Sequence, residues 1–478
     1  MSTSNLKPPI LIYAELLSNI RQVSVACSLP NHSSLSSATK AIIASKGTTL
    51  TIIHNGATQT IELPARVISG ELPISKNNNI NNNSNDAETS TINLSWRLPL
   101  AAASPNGLRN HNTGPKATPT ATSDELIPWS ARDLQPGSVV RCRTCESTII
   151  ARDKLQVWKD LPSENWAEMM EFWHCHKPDT HPHGHDDKAD GNQSKDNNGG
   201  HDGHDDEEHL TTRGYGASSR ISAQPGVGFV DLTSFLVALS DLTNTQYSAP
   251  TATASEEQSN GSQPATVKTT SMSNSLRCST CKTHFGLKNE DQSSVSIFKW
   301  QITVNPIDNK NTSTSTSTSP STKNPPPPKT VLPTLSQCVS AMLLATMARS
   351  GCSKSIILPI KSQTSQTPSS QDVTTPKNLL HIWTFNPNIT FSSTSASRPR
   401  ISAIKVFYKT ITQPEADKML ESMTSDVQDI SLPADAIVSI VELLDASNLF
   451  VPESSRFFKG KEWKVGLLEK WDGDADGR

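Results

Sequence analysis

Two pairs of cysteines, Cys142-Arg143-Thr144-Cys145 and Cys278-Ser279-Thr280-Cys281, are the residues best suited to do chemistry in this chain. A two-residue spacer lets both thiolates of a pair face one ion, and two pairs complete the tetrahedral four-sulfur set that zinc accepts. The expectation is one structural Zn2+ held by Cys142, Cys145, Cys278 and Cys281. Residues 146–277 separate the pairs, but much of that interval is poor in apolar residues and reads as insertion. The competing reading is a set of buried thiols without metal, because free cysteine is commonly buried. A redox pair fits less well, since neither pair stands in a βαβ context.

His174-Cys175-His176 is the second chemical cluster. It offers further metal ligands, so the set could be three of the paired cysteines with Cys175 or His176. It also offers Cys175 as a nucleophile with His174 or His176 as its base. A helix C-terminus disfavours a thiolate, whereas a neighbouring His or Lys177 favours one. A partly exposed structural cysteine is the plainer alternative. The alternating His and Asp residues from His181 to His209 have no fixed geometry and read as a disordered tract with weak, adventitious metal affinity. Cys27, Cys338 and Cys352 fall in apolar contexts and are expected in the core.

The elements that must position these groups are mostly strands. Residues 20–29, 48–56, 58–67, 91–98, 138–142, 296–304, 354–360, 379–385 and 403–411 alternate or cluster β-branched and aromatic residues. His54-Asn55-Gly56 supplies a turn, which makes 48–67 a hairpin candidate. Helices are expected over 163–175, 334–348, 414–424 and 434–446. In the first, Ser163 suits an N-cap and Trp166, Met169, Met170 and Trp173 form one apolar stripe. Core packing is the default reading of that stripe, and Cys175 points away from it. The fold class is α+β: mainly antiparallel β-strands with a few helices, zinc-stabilised, and interrupted by long disordered insertions.

Those insertions are compositional. Residues 77–90, 101–123, 179–212, 244–275, 308–330 and 362–376 are rich in Asn, Ser, Thr, Pro or His/Asp. Only 34% of the chain is hydrophobic, too little apolar surface to order all of it. The expected division is an N-terminal β-rich region over 1–130, a signature region with the metal site over 131–307, a linker over 308–330 and an α+β region over 331–478. A net charge of −3 gives no basic surface for nucleic acid, so no direct nucleic-acid partner is expected. No apolar run approaches the roughly 18 residues of a membrane helix. The apolar run 9–18 lacks the flanks of a secretory signal, so no membrane partner and an intracellular, cytoplasmic and/or nuclear location are expected. In that compartment cysteines ask for metal rather than disulfides.

Leu161-Pro162-Ser163-Glu164-Asn165-Trp166, running into Trp173-His174-Cys175-His176-Lys177-Pro178, resembles the central signature of the HECT-like proteins that bind ubiquitin-conjugating enzymes. The flanking cysteine pairs, with Phe285-Gly286-Leu287, are similar to that family's flanking elements. So are His381-Ile382-Trp383-Thr384-Phe385-Asn386-Pro387, Ile404-Lys405-Val406-Phe407-Tyr408, Ser447-Asn448-Leu449-Phe450-Val451-Pro452 and Trp463-Lys464-Val465-Gly466-Leu467-Leu468. The resemblance implies an intracellular ubiquitin-protein ligase whose partners are a ubiquitin-conjugating enzyme, ubiquitin and a protein substrate. It also implies the endonuclease of messenger-RNA 3′-end processing as a further candidate partner. One departure bears on mechanism. A conventional HECT ligase carries its thioester cysteine near the C-terminus, and residues 353–478 contain no cysteine. Cysteines that hold zinc are poor nucleophiles, which leaves Cys175, with His176 beside it, as the catalytic candidate. The alternative is a zinc-stabilised scaffold that binds its partner without covalent chemistry.

Overall fold

Alternation with period two dominates the ordered sequence, so the chain folds as strands that bury every second residue. A computed structural model of the protein describes residues 10–30, 39–74, 91–101, 127–161, 222–247, 274–289, 293–305, 331–360, 379–422, 424 and 426–472. These fall into two compact units. The first combines the described residues up to Trp129 with those from 331 onward; the second comprises those from Ser130 to Tyr247 and from Asn274 to Asn305.

The first unit is built on a nine-stranded sheet. Seven of its strands lie in the order Phe457–Phe458, Trp463–Glu469, Ile401–Ile411, Leu379–Ser393, Leu11–Leu17, Gln22–Pro30 and Thr91–Pro99. Lys354–Pro359 pairs antiparallel with Leu379–Ser393 and parallel with Val427–Leu432. A four-stranded sheet, Ala57–Glu62, Thr49–His54, Lys40–Ile43 and Gly70–Glu71, belongs to the same unit. Its Ala41, Ile43, Leu50 and Ile52 share a core with Ile12, Val23, Val25, Cys27 and Leu29 of the larger sheet.

Three helices complete this unit. Helix α1 (Leu335–Ser350) opens on a capping box, in which Thr334 and Gln337 satisfy each other's backbone amides, and ends at Gly351 with φ 73°. Helix α2 is Gln413–Leu420 and helix α3 is Ala434–Asn448. Val339, Leu343 and Leu344 of α1 and Ile437, Ile440 and Leu444 of α3 pack on Ile357, Leu380, Ile382, Ile404 and Val406 of the sheet. Helix α2 covers the opposite face at one end, where Ala416 meets Ile356, Leu379 and Ile411.

The second unit has a seven-stranded sheet in the order Val157–Asp160, Val227–Val230, Ser234–Ala238, Ser294–Phe298, His284–Lys288, Ser275–Cys278 and Thr245–Tyr247. A three-stranded sheet joins Ile302–Asn305, Val139–Cys142 and Thr148–Ile150. Gly286 is required where it stands. A Cβ there would lie 2.6 Å from the carbonyl oxygen of Ser296 on the paired strand.

Mainly antiparallel sheets with a few helices are what the sequence pattern predicts, and the 48–67 hairpin forms with Asn55 and Gly56 both at positive φ (49° and 83°). Several details differ. The run at 9–18 contains a central strand, buried on both faces, where the sequence gives only an apolar stretch. Residues 296–304 are two strands joined by a 3-10 turn at Lys299–Gln301. Thr245–Tyr247 is a strand inside a stretch expected to be solvated, because an edge partner is waiting for it. Helix α2 stops at Leu420 rather than 424. Cys27 and Cys338 are buried as expected, but Cys352 is only half-buried. The helix expected over 163–175, His174, Cys175, His176 and the His/Asp tract lie outside the described residues. Among the described residues no helix is long and apolar enough to cross a membrane.

His381 gives the first unit a titratable core. It is 4% exposed, both ring nitrogens lack a hydrogen-bond partner among the described residues, and burial, then Lys409 and Lys354, push its pKa down to about 4. The unfolded chain takes up the proton near pH 6.5 and the folded chain does not. Stability is therefore full above pH 6.5 and falls as the pH drops toward 4, by at most about 3 kcal/mol. Urea titrations of the full chain across that range should show the loss. In His381→Phe the slope between pH 6.5 and 4 should largely flatten, and an unchanged slope would refute this assignment.

Candidate metal centre

Each Cys-x-x-Cys turn is formed by the same local chemistry. Val139–Cys142 delivers Cys142 at a strand end, and the chain turns back so that Cys142 N–H donates to Ser147 O (2.9 Å) and Glu146 N–H to Cys142 O (2.8 Å). In the second turn Cys278 N–H donates to Thr283 O (3.0 Å) and Lys282 N–H to Cys278 O (2.9 Å). Glu146 (φ 58°) and Lys282 (φ 64°) take the left-handed conformation at the same point. Arg141 and Arg277 each donate from the guanidinium to the carbonyl of that residue, at 3.2 and 3.1 Å.

The strands leading in and out repeat as well. Val140 pairs with Ile150 and Arg141 with Thr148, with a bulge between; Leu276 pairs with Gly286 and Arg277 with His284, with the same bulge. Each turn then receives a third strand, and the two are exchanged. Thr245–Tyr247, which follows the first turn in sequence, pairs with the strand entering the second (Thr245 opposite Cys278). Ile302–Asn305, which follows the second, pairs with the strand entering the first (Ile302 opposite Cys142). Between them Ser234–Ala238 and Ser294–Phe298 pair antiparallel with each other.

This arrangement brings the four cysteines together. All four Sγ atoms lie within 4.8 Å of one another, with Cys142–Cys281 and Cys145–Cys278 at 3.6 Å. A tetrahedral zinc with bonds of about 2.3 Å needs sulfur–sulfur edges of roughly 3.8 Å, so the donor set is compatible with that ion. Cys142 and Cys278 are buried, and Cys145 and Cys281 half-buried, which closes the site on one side.

Two hydroxyls serve the sulfurs. Ser147 Oγ lies 3.2 Å from Cys145 Sγ and 3.1 Å from Cys278 Sγ. Thr283 Oγ1 lies 3.1 Å from Cys281 Sγ and 3.2 Å from Thr144 Oγ1, with one proton to give to either. Burial alone would raise the Cys278 thiol, yet the Ser147 hydroxyl and the amides of Cys281 and Thr280 bring it down to about 6. The Thr283 hydroxyl likewise lowers Cys281. Burial pushes Cys142 up to about 12. A cation at the centre would replace the protons and favour the thiolate at every position. The sequence placed the four cysteines as one set but passed over Ser147 and Thr283. The repeated string Arg-Cys-x-Thr-Cys-x-Ser/Thr, at 141–147 and 277–283, is the signal that could have found them.

No solved structure matches this chain. Two curated fungal proteins share a short segment with it. Uncharacterized protein YJR141W of Saccharomyces cerevisiae is 45% identical over 53 residues, which is 11% of this chain and 15% of that protein. Uncharacterized protein C1734.10c of Schizosaccharomyces pombe is 41% identical over 63 residues, 12% of this chain and 18% of that protein. The chain thus spans less than a fifth of either relative in the matched region. The family model for HECT-like ubiquitin-conjugating enzyme (E2)-binding proteins matches residues 15–465, which takes in both structural units. The chain belongs to the HECT-like ubiquitin-conjugating enzyme (E2)-binding family.

Proposed function

We propose that the protein binds a ubiquitin-conjugating enzyme and promotes transfer of ubiquitin to protein substrates, on a scaffold whose second unit is held by one zinc ion. The family match over residues 15–465 is the observation that carries the partner. The four clustered thiols and their hydroxyl partners support the ion, which would supply folding free energy and take no part in transfer. Cys142, Cys145, Cys278 and Cys281 would hold it. Cys175 is the transfer nucleophile on this reading. Its thiolate attacks the carbonyl of the enzyme-linked ubiquitin thioester and the conjugating enzyme's thiolate leaves. A substrate lysine amine then attacks the new thioester, forming the isopeptide bond and releasing Cys175, while His176 takes the amine proton.

A second reading keeps the scaffold and drops the covalent step, with the partner being a conjugating enzyme or an endonuclease of messenger-RNA 3′-end processing. The family description names binding of a conjugating enzyme, which this reading meets without a covalent step.

Metal analysis of the purified chain should find one zinc, lost in Cys142→Ser, Cys145→Ser, Cys278→Ser and Cys281→Ser and kept in Cys175→Ser. Loss in Cys175→Ser would make that residue a ligand and remove the covalent step. The hydroxyls give a subtler check. In Ser147→Ala with Thr283→Val the chain should still load zinc but surrender it to a chelating dye with an affinity about 10-fold weaker or more. An unchanged affinity would mean that the hydroxyls do not support the thiolates.

Partner binding and transfer are separated by Cys175→Ala. Affinity for a panel of purified ubiquitin-conjugating enzymes should be unchanged, while ubiquitin transfer should fall by about 100-fold or more. Undiminished transfer leaves the scaffold reading; failure of the wild-type chain to bind any conjugating enzyme defeats both readings of that partner.

A further inference from the structure

One face of the nine-stranded sheet carries a cluster unconnected with the metal centre. Leu380 and Ile382 turn toward α1 and α3, so His381 and Trp383 point the other way. There Trp383, Phe385, Phe407 and Phe458 form a continuous ring system. Centroid separations are 5.4 Å for Trp383–Phe407, 4.8 Å for Phe385–Phe407 and 4.5 Å for the parallel Phe407–Phe458 stack. Phe385 is 53% exposed, and Trp383 and Phe458 are half-buried. Phe407 beneath them is buried, so Phe385 and the edges of Trp383 and Phe458 are an apolar margin of the core left open to water.

Three lysines border the rings. Lys354 and Lys459 ammonium groups lie 5.7 and 5.5 Å from the Trp383 ring, and that of Lys409 lies 4.7 Å from Trp463. Lys459 sits in the turn Lys459-Gly460-Lys461, in which all three residues have positive φ (49°, 65° and 74°). Two of them are not glycine, so the turn holds its lysines in a conformation that costs free energy. Lys354 is paired with Asp426 and Lys409 with Glu462, but those carboxylates are 69% and 52% exposed, and pairs this open contribute little. With Lys459 and Lys461 added, the cluster is positive. Beneath it lies His381, against the Trp463 edge at 4.8 Å, with both nitrogens buried and unpartnered.

We propose that this face binds an acidic peptide segment of a protein partner. Its carboxylates meet Lys354, Lys409 and Lys459 and displace Asp426 and Glu462, which hold the lysines in the free protein. An apolar side chain of the segment lies on Phe385 and Trp383. Charge complementarity selects the acidic segment, and the open rings select the apolar anchor. The proposal stands apart from the reading of the conjugating-enzyme partner and from the zinc site.

The test uses the full chain and a displayed peptide library with fixed Asp and Glu positions and randomised residues between them, alongside a matched basic library. Acidic peptides with an aromatic or aliphatic residue should be enriched and the basic library should not. Their dissociation constants, read by fluorescence anisotropy, should rise about 10-fold in Phe385→Ala and in Lys354→Glu with Lys409→Glu. Phe385 is largely exposed, so its variant should fold. In Asp426→Asn with Glu462→Gln the affinity should tighten about 3-fold, because the competing carboxylates are gone. The proposal is overturned if no acidic peptide is enriched or if Phe385→Ala leaves binding unchanged. It is equally overturned if single-stranded RNA displaces the peptides and is itself lost in Phe385→Ala.

Discussion

Cys142 and Cys278 each end a strand whose outer neighbour comes from the other half of the second unit. That exchange, together with the cross-turn approach of Cys142 to Cys281 and of Cys145 to Cys278, is the constraint on which the unit depends. Neither half can complete its own three strands, and neither turn can complete a tetrahedron. A metal at the centre would therefore tie together two halves that are already interlocked by backbone hydrogen bonds. Amides and hydroxyls aimed at Cys278 and Cys281 favour their thiolates, while burial keeps the neighbouring Cys142 protonated. A divalent cation resolves that conflict, which is the physical ground for the proposed zinc.

The two halves are alike in their turns and unlike in what joins them. The second passes from Lys288 to Ser294 in a few residues. The first inserts the parallel pair Val157–Asp160 and Val227–Val230 between Ile150 and Ser234, with the signature segment in between. Trp158 of that stem packs directly on Gly228, where a Cβ would come within 2.5 Å of its ring. The repeated part of the unit thus supplies the framework and the unrepeated part carries Cys175 and His176.

The parts that sequence made legible are those with a local physical signature. Asn55-Gly56 announces a hairpin because its two positive φ values demand those residue types. The cysteine pairs announce a four-sulfur cluster because two such spacings suit one tetrahedral ion, and the four sulfurs do come together. Leu11–Leu17 was obscured by its own burial: a central strand covered on both faces shows no alternation. Ser234–Ala238, buried at every position, hides for the same reason. Thr245–Tyr247 is polar and becomes a strand only because Ser275–Cys278 offers it an edge. Ser147 and Thr283 look like ordinary turn residues until the second cysteine pair arrives. Each lies two residues after a cysteine of its own turn, and Ser147 also reaches Cys278 of the other turn, so only comparison of the two repeated strings marks them out.

X-ray absorption at the zinc edge of the purified chain tests the central claim most directly, since it counts and identifies the atoms bound to the ion. The account predicts four sulfur scatterers at about 2.3 Å and no nitrogen or oxygen in the first shell. A shell containing imidazole nitrogen would contradict it, by placing a histidine where one of the four cysteines should be.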